Sequence, residues 1–310
     1  MPSPTSSIPK SHHTHNGFRN PWPAPNSLSS YLQIPITRSR HSTKSASIKP
    51  VKTVPCDLRP YFSEETETKG IHATWLGHAG FLVQIAQTRI LFDPILAERA
   101  SPVTWAGPKR YLPIPCEAKD LPRIHFTKLK KGVATSYDHL DIECLRQVRL
   151  KSPNVRFLVP LRVKQTLLDE LGLNEDEEGE VTEMDWWESS FKEIGERYGP
   201  FDLAMIPIWR GASLSILGRW GLRLTEAATS LLATLHATPS DAVQLYQDVK
   251  AKRAIAMHFG TFCGSEDEAK EPIELLTRDL EKKGIPLLRA SWDLEGFGYV
   301  DVGETVFVPV

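Results

Sequence analysis

The alternation of apolar and polar positions changes near residue 70 and from there predicts short strands and amphipathic helices. Apolar runs at 71–77, 81–85 and 89–92 are bounded by glycine or polar residues, as expected of strands. By the same criteria, further strands are predicted at 156–159, 201–208, 254–257 and 286–288, and further helices at 161–171, 239–249 and 269–283. The segments 299–302 and 306–310 are predicted to form a closing hairpin. Strands that alternate with helices indicate a layered α/β sandwich.

Capping residues mark the starts of two predicted helices. Asp141 comes directly before apolar residues at helical spacing, so it is predicted to be an N-cap. Thr238 is followed by Pro239, and proline is favoured at the first helical position. Both helices are therefore expected to begin abruptly after a polar residue.

The first part of the chain, 1–56, has a different composition from the rest. It contains no Asp or Glu, seven Lys or Arg, and many Ser and Pro without hydrophobic periodicity. We expect a mostly irregular N-terminal segment over 1–56, followed by a single domain over 57–310. An acid-poor start resembles a mitochondrial presequence, but its scattered prolines oppose the amphipathic helix that such a signal needs.

Composition and charge exclude several classes of protein. Hydrophobic residues make up 41% of the 310 residues and charged residues 24%, as in ordinary globular proteins. The net charge of -1 gives no reason to expect a nucleic-acid partner. Four widely spaced cysteines argue against a zinc ribbon or a disulfide scaffold and fit a reducing compartment. No apolar run approaches the roughly 20 residues that span a bilayer, so any membrane contact is expected at its surface.

The sharpest chemical signal is the adjacent pair Asp138-His139. A carboxylate and an imidazole at a strand-to-helix turn reach one cation together and suit zinc, iron or manganese. The alternative is that Asp138 forms a turn while His139 packs at the helix start. His258 ends a predicted buried strand, where it is either a metal ligand or a core histidine with satisfied hydrogen bonds. His78, between Gly77 and Ala79-Gly80, and Asp93, which ends another strand, are by themselves more typical of turns.

Taken together and in order, these features match the pattern of metallo-β-lactamase-fold hydrolases. Longer motifs make the chain similar to the N-acylphosphatidylethanolamine-hydrolysing phospholipase D family, its fungal branch included. The motifs that carry this resemblance are Trp75-Leu-Gly-His-Ala79, Asp93-Pro-Ile95, Arg99-Ala-Ser-Pro102, Gly107-Pro-Lys-Arg110, Tyr137-Asp-His-Leu-Asp141, Asp185-Trp-Trp-Glu188, Gly199-Pro-Phe-Asp-Leu-Ala204, Ile206-Pro-Ile208 and His258-Phe-Gly-Thr-Phe262. Residues 17–23 also match the family, which implies that this stretch docks on the domain. The resemblance implies a metallo-β-lactamase-type αββα layered sandwich.

The chain departs from the family at two places. Where the family has His-x-His-x-Asp-His, this chain reads Ala134-Thr-Ser136-Tyr-Asp138-His139, so both leading histidines are absent. After Glu188, the family carries a further ligand histidine and a Gly-Asp-Thr-Gly segment that this chain lacks. The sandwich is therefore expected to miss some strands. The chain is either a degenerate relative or the product of a misassembled or alternatively spliced transcript, and the abruptness of both breaks favours the second explanation.

The resemblance also implies roles for individual residues. Asp138, His139 and His258 would hold one Zn²⁺, whereas intact relatives hold two, and His78 and Asp93 would orient the ligands by hydrogen bonds. His236 and Asp138 would serve in catalysis, with His236 close to the phosphate of the substrate; the alternative for His236 is a solvated helix flank. Two further candidates for substrate contact are Trp209 and Arg210, the latter being either a phosphate ligand or an ordinary surface residue.

The function implied by the resemblance is that of a metal-dependent phosphodiesterase. It would hydrolyse the phospholipid N-acylphosphatidylethanolamine to phosphatidic acid and an N-acylethanolamine by attack of metal-activated water. The alternative is a catalytically impaired relative or truncated isoform that binds lipid or protein without turnover, which the missing ligands favour. We expect an intracellular protein, cytoplasmic or mitochondrial, that contacts a membrane surface peripherally; its oligomeric state is left open.

Overall fold

The fold is described by a computed structural model for residues 13–14, 17–18, 36–38, 49–58, 69–101, 103, 105–129, 139–173, 180–184, 190–209, 222–225 and 237–310. The larger of its two main sheets has the strand order β15-β4-β5-β6-β7-β8-β9. These strands are β4 (Gly70–Gly77), β5 (Gly80–Ile85), β6 (Thr88–Phe92), β7 (Phe126–Lys128), β8 (Arg156–Pro160), β9 (Val181–Met184) and β15 (Thr305–Pro309). Strands β15, β4, β5 and β6 pair antiparallel, and β6 to β9 pair parallel.

The smaller sheet is parallel throughout and has the order β10-β12-β14-β13. Its strands are β10 (Ala204–Pro207), β12 (Arg253–Met257), β13 (Leu287–Leu288) and β14 (Gly296–Gly298). Two further strand pairs are β1 (His13–Thr14) with β2 (Gly17–Phe18) and β3 (Ile36–Arg38) with β11 (Leu222–Leu224). The helices are α1 (Ile142–Lys151), α2 (Lys164–Leu171), α3 (Phe191–Tyr198), α4 (Pro239–Asp248) and α5 (Glu266–Lys283), and Ala118–Asp120 forms a 3₁₀ turn.

Two apolar cores show how these elements are layered. In the first core, Trp75 of β4 packs with residues of the smaller sheet and of α4 and α5. In the second core, Leu76 of the same strand packs with residues of β8, α1 and α2. Consecutive side chains of a strand point to opposite faces, so β4 is buried on both faces. The order is therefore helix, sheet, sheet, helix, and the predicted αββα sandwich is confirmed.

The local predictions for β4, β5, β6, β12 and the two N-caps are confirmed, most strand limits lying within one residue. The Asp141 side chain accepts a hydrogen bond from the Cys144 amide at 3.0 Å at the start of α1. Thr238 caps α4 through the Asp241 amide at 3.2 Å, with Pro239 in the first turn. Helix α2 begins at Lys164, later than the predicted start at 161, because its first predicted residues form a turn after β8.

The predicted closing hairpin is wrong. Strand β15 pairs with β4 in the larger sheet, whereas 299–302 follows β14 of the smaller sheet. Residues 50–58, which we call the strap, pair with the segment 299–302 instead. The Val54 amide donates to the Val302 carbonyl at 2.8 Å, and the Val302 amide donates to the Lys52 carbonyl at 2.9 Å. Gly303, with φ 94°, then carries the chain from one sheet to the other.

The strap belongs to the region where the predicted N-terminal segment meets the predicted domain. Val51 is buried in the first core and Leu58 in the second, so the strap lies across both. The predicted docking of residues 17–23 falls mostly outside the described residues. Within the described ranges, no helix has the length and apolar character required to cross a bilayer.

Candidate metal centre

The site lies where strands of both sheets end, and its backbone has an unusual conformation. His78 follows β4, Asp93 follows β6, Trp209 comes shortly after β10 and His258 follows β12. Their φ angles are 51°, 37°, 20° and 65°, in a region that residues with a Cβ rarely adopt. Each such residue costs on the order of 1 kcal/mol or more, and such residues cluster at functional sites. The fold therefore holds four non-glycine residues in positive-φ conformations around one place.

Hydrogen bonds fix the backbone of His78 and join it to His258. The His78 carbonyl accepts from the Trp75 indole at 2.9 Å and from the His258 amide at 2.9 Å. The His78 amide donates to the Thr261 hydroxyl at 2.6 Å. Because His78 ends a strand of the larger sheet and His258 a strand of the smaller one, these bonds tie the two sheets together at the site.

Three buried imidazoles converge at this junction. The ring centroids of His78 and His258 are 3.9 Å apart. The ring centroid of His139 lies 5.2 Å from that of His78 and 5.3 Å from that of His258. The Nε2 atoms of His139 and His258 are separated by 3.3 Å. One ring nitrogen from each histidine lies within 4.8 Å of the other two, and all three residues are buried.

This donor set fits a divalent cation. Ligand nitrogens at 2.0–2.1 Å from a tetrahedral ion are about 3.3 Å from each other, which matches the separation of the two Nε2 atoms. Three protein ligands with a remaining open position are also the usual arrangement of a catalytic zinc ion. Within the described part of the chain, these three histidines are the group of potential ligands whose donor atoms lie close enough together to share one cation.

Asp93 is placed to orient one of the imidazoles. Its Oδ2 lies 3.3 Å from the Nδ1 of His139, and both side chains are buried. When Nδ1 carries the proton and donates a hydrogen bond to the carboxylate, Nε2 is unprotonated. Its lone pair then points toward the other two histidines. The Asp93 amide donates to the Lys128 carbonyl at 2.9 Å, which holds the residue between β6 and β7.

The structure brings together some of the predicted site residues and not others. His139 and His258 meet, as the predicted ligand set requires, and Asp93 contacts His139. His78, predicted to orient ligands from outside, instead lies among the potential ligands, because its positive φ turns the ring toward His258. The predicted residues that lie outside the described part of the chain are Asp138, Arg210 and His236.

Trp209 and His258 line a small cavity beside the histidines. Its volume is about 30 Å³, and the other lining residues include Phe262 and Glu268. A single water or ion fits such a space, because one water requires roughly 10–15 Å³. Among the described residues, the cavity therefore has room for one small ligand and not for a phospholipid headgroup.

Arg110 packs beside the site, and the sequence indicated it only as part of a family motif. Its guanidinium donates to the carbonyls of Ile95, Ala97 (3.1 Å) and Leu76 (3.4 Å) and lies 5.5 Å from the centre of the Phe262 ring. Burial lowers the pKa of Arg110 to about 10, so the group stays protonated at neutral pH. Its position in Gly107-Pro-Lys-Arg110 was the sequence signal for this role.

Asp141 is a second supporting residue, which the sequence identified only as a helix cap. In addition to capping α1, its Oδ2 accepts from the amides of Leu96 at 2.9 Å and Ala97 at 2.8 Å. The same carboxylate thus holds the helix that follows His139 and the loop that follows Asp93. Its negative charge partly offsets the effect of burial, which lowers the pKa of the nearby Arg110.

The chain is similar in sequence to known proteins. The chain is 29% identical to N-acyl-phosphatidylethanolamine-hydrolyzing phospholipase D 1 of Caenorhabditis elegans, over 93% of this chain and 91% of that protein. The alignment spans 357 positions, more than the 310 residues of the chain, so the relative has segments without a counterpart here. An uncharacterised protein of Mycobacterium bovis is 25% identical over 68% of this chain and 64% of that protein. No family model matches the chain.

Among solved structures, a protein described as a "possible metal-dependent hydrolase" from Veillonella parvula has the same fold. The TM-score is 0.51 and the sequence identity 12%, and the superposition covers 78% of this chain and 100% of that chain. This likeness shows the fold alone. The sequence similarity along almost the whole chain and the shared motifs make the chain similar to the N-acylphosphatidylethanolamine-hydrolysing phospholipases D, and its architecture is the metallo-β-lactamase-type αββα sandwich.

Proposed function

We propose that this chain is a metal-dependent hydrolase resembling N-acylphosphatidylethanolamine-hydrolysing phospholipase D, and that His78, His139 and His258 hold its cation. The observation that carries the proposal is the convergence of these three buried imidazoles at the ends of strands from both sheets. The full-length similarity to the nematode phospholipase supports the reaction class. Zinc is the proposed ion, because nitrogen donors at this spacing suit it.

We further propose one cation, in contrast to the pair in intact relatives. The chain has Ala134 and Ser136 at two family ligand positions and lacks the Gly-Asp-Thr-Gly segment. Asp138 precedes His139 directly, and we propose its carboxylate as the fourth protein ligand or as a base for the attacking water. When bound, a divalent cation supplies a Lewis acid that polarises a phosphoryl oxygen and makes water a stronger acid.

The chain's own residues are proposed to prepare the site for a phosphodiester. Asp93 orients the His139 ring, and burial of the three imidazoles excludes bulk water from them. Trp209 lines the adjoining cavity, and Arg210 is proposed to bind a phosphate oxygen. His236 is proposed to protonate the leaving alcohol oxygen. Hydrolysis of N-acylphosphatidylethanolamine would then give an N-acylethanolamine and phosphatidic acid.

The test combines metal content with turnover on lipid vesicles. Purified full-length chain is expected to contain about one zinc per molecule and to release N-acylethanolamine from vesicles that contain the substrate. His78→Gln is expected to lose the metal, whereas His72→Gln, on β4 but outside the cluster, is expected to keep it. Metal-free protein under zinc-replete conditions, or equal metal loss in both variants, would sink the proposal.

A second candidate is favoured by two specific observations. The family ligands at 134 and 136 are absent, and the cavity among the described residues holds about 30 Å³. A non-catalytic relative that binds a phospholipid surface would bind vesicles to the same extent with and without a chelator and would release no product. Turnover that the chelator abolishes and zinc restores separates the first candidate from the second.

A further inference from the structure

The strap and a neighbouring loop bring two cysteines together at the edge of the domain. The Cys56 amide donates to the carbonyl of Pro115, the residue before Cys116, at 3.1 Å. The Thr53 hydroxyl donates to the Pro113 carbonyl at 3.0 Å, so the strap and the loop run side by side. Cys56 and Cys116 therefore lie next to each other, and neither is part of a disulfide.

The surroundings of the pair leave it accessible and without the partners of a metal site. Both side chains are half-buried against the second core, whereas Cys144 is fully buried in that core. In the portion of the chain that is described, the group with the geometry of a metal site is the histidine cluster, not the thiol pair. Two adjacent thiols without further ligands are suited to forming a bond with each other.

The two thiols have different acidities. The hydrogen bond from Cys56, together with the charge of the Arg110 guanidinium, lowers the pKa of Cys116. The same hydrogen bond and burial raise the pKa of Cys56. Since the thiolate is the nucleophile in disulfide exchange, Cys116 is the group that attacks first and Cys56 the group that resolves.

We propose that Cys56 and Cys116 form a thiol–disulfide exchange site that reacts with small-molecule disulfides such as oxidised glutathione. The Cys116 thiolate attacks one sulfur of the disulfide; the S–S bond breaks and one glutathione thiolate leaves. The Cys56 thiol then attacks the Cys116 sulfur, and its proton goes to the second departing glutathione. Two protein thiols are oxidised to one disulfide, and oxidised glutathione is reduced to two thiols.

The pair is connected to the candidate metal centre from two sides. Val51 of the strap lies against Gly260: a Cβ at position 260 would be 3.1 Å from a methyl group of Val51. On the side of the loop, the Tyr111 amide donates to the Thr261 carbonyl at 2.8 Å. A covalent bond between Cys56 and Cys116 would therefore fix both flanks of the segment that follows His258. The proposal is independent of the reaction proposed above.

The test is oxidation of the full-length chain by oxidised glutathione, followed by alkylation of remaining thiols and peptide mass spectrometry without reduction. The expected product is a Cys56–Cys116 cross-linked peptide that dithiothreitol removes. The Cys56→Ser variant should stop with glutathione bound to Cys116. The Cys116→Ser variant should add glutathione to Cys56 at least about tenfold more slowly than Cys56→Ser adds it to Cys116. Cys263→Ser, which removes another half-buried thiol, should form the cross-link as fast as the unaltered chain.

Two results would overturn the proposal. One is oxidation confined to Cys263 while both Cys56 and Cys116 remain open to alkylation. The other is glutathione addition to Cys56 in the Cys116→Ser variant that is as fast as its addition to Cys116 in the Cys56→Ser variant. Circular dichroism of each serine variant shows whether it is folded, and a variant that is unfolded is replaced by the corresponding alanine variant.

Discussion

His78 shows how the conformation of a single residue decides what a side chain contacts. Its φ of 51° follows a Gly77 with φ of 99°, and together they turn the chain sharply at the end of β4. A Cβ on Gly77 would lie 3.2 Å from the Arg110 Nη1 and 3.2 Å from Thr261 atoms. The position of the His78 imidazole therefore depends on a residue that has no side chain.

The first prediction is that Gly77→Ala destabilises the fold and weakens metal binding. Strain at this φ together with the tight contacts is expected to lower the free energy of unfolding by about 2–4 kcal/mol, measured by urea denaturation. The matched control is Gly172→Ala: φ there is 64° but nothing lies within 4 Å, so about 1 kcal/mol and unchanged metal affinity are expected. Equal losses in the two variants would contradict the role of Gly77.

The second prediction concerns Asp93 as the residue that orients His139. Asp93→Asn replaces the carboxylate 3.3 Å from Nδ1 by a nearly isosteric amide. We expect zinc affinity to fall about 10- to 100-fold in chelator competition, because the ring loses the partner that selects its tautomer. Asp202→Asn, which removes a carboxylate paired with Lys252 at the surface, should leave zinc affinity unchanged.

At the scale of elements, helix α1 and the loop after β6 depend on one carboxylate. Asp141 accepts one amide of α1 and two amides of the loop, so its removal leaves three donors without that acceptor. The third prediction is that Asp141→Ala lowers the free energy of unfolding by about 2–4 kcal/mol. Ser190→Ala, which removes an exposed N-cap of α3, should cost about 1 kcal/mol. Thermal or chemical denaturation of both variants checks the difference.

The segment from Arg99 to Lys109 is a second element with a predicted role. These residues pair as an antiparallel bridge, and Trp105 stands between them with 81% of its surface exposed. Tryptophan is favoured at the interface between membrane and water. The same segment leads into Arg110, whose guanidinium donates to the carbonyl of Leu76, two residues before His78.

The fourth prediction, which rests on the proposed lipid substrate, is that Trp105→Ala weakens vesicle binding. About tenfold weaker binding in a sedimentation assay corresponds to the loss of about 1.4 kcal/mol. Leu294→Ala is the matched control. Leu294 is 67% exposed, but it precedes β14 and so lies at the amino ends of the parallel strands, whereas His258 lies at their carboxyl ends. Equal effects of the two substitutions would argue against a specific membrane-facing segment.

At the scale of the whole molecule, the candidate metal centre joins parts of the chain that are otherwise held by packing. His78 follows the larger sheet, His258 the smaller sheet, and His139 precedes α1. A ligand that binds only the folded chain stabilises it by about 4 kcal/mol at a free concentration 1,000-fold above its Kd. A cation at this junction is expected to resist separation of the layers.

The fifth prediction is that zinc raises the melting temperature by about 5–10 °C and that a chelator reverses the change. Differential scanning calorimetry measures both. His258→Gln should abolish the rise, whereas His72→Gln should retain it even if its melting temperature starts lower. A rise of equal size in both variants would mean that zinc binds elsewhere.

Much of the fold was predictable because it depends on neighbours in the sequence. The ends of β5 and β12 and the caps of α1 and α4 follow from apolar periodicity and from Asp141 and Thr238. The closing hairpin was predicted wrongly because adjacent apolar segments joined by a glycine turn usually pair. Here the strap competes for the same backbone groups, and no local pattern encodes a partner so distant in the chain.

The sequence by itself determined the fold class, the resemblance to phospholipases D and the identity of the missing ligands, because these are carried by residue types in a fixed order. Only the tertiary structure decided that His78 joins His139 and His258, and that Cys56 lies against Cys116. Those distances depend on how two sheets, a helix and a strap pack together. Packing is decided by the summed burial of many side chains, and no single motif encodes it.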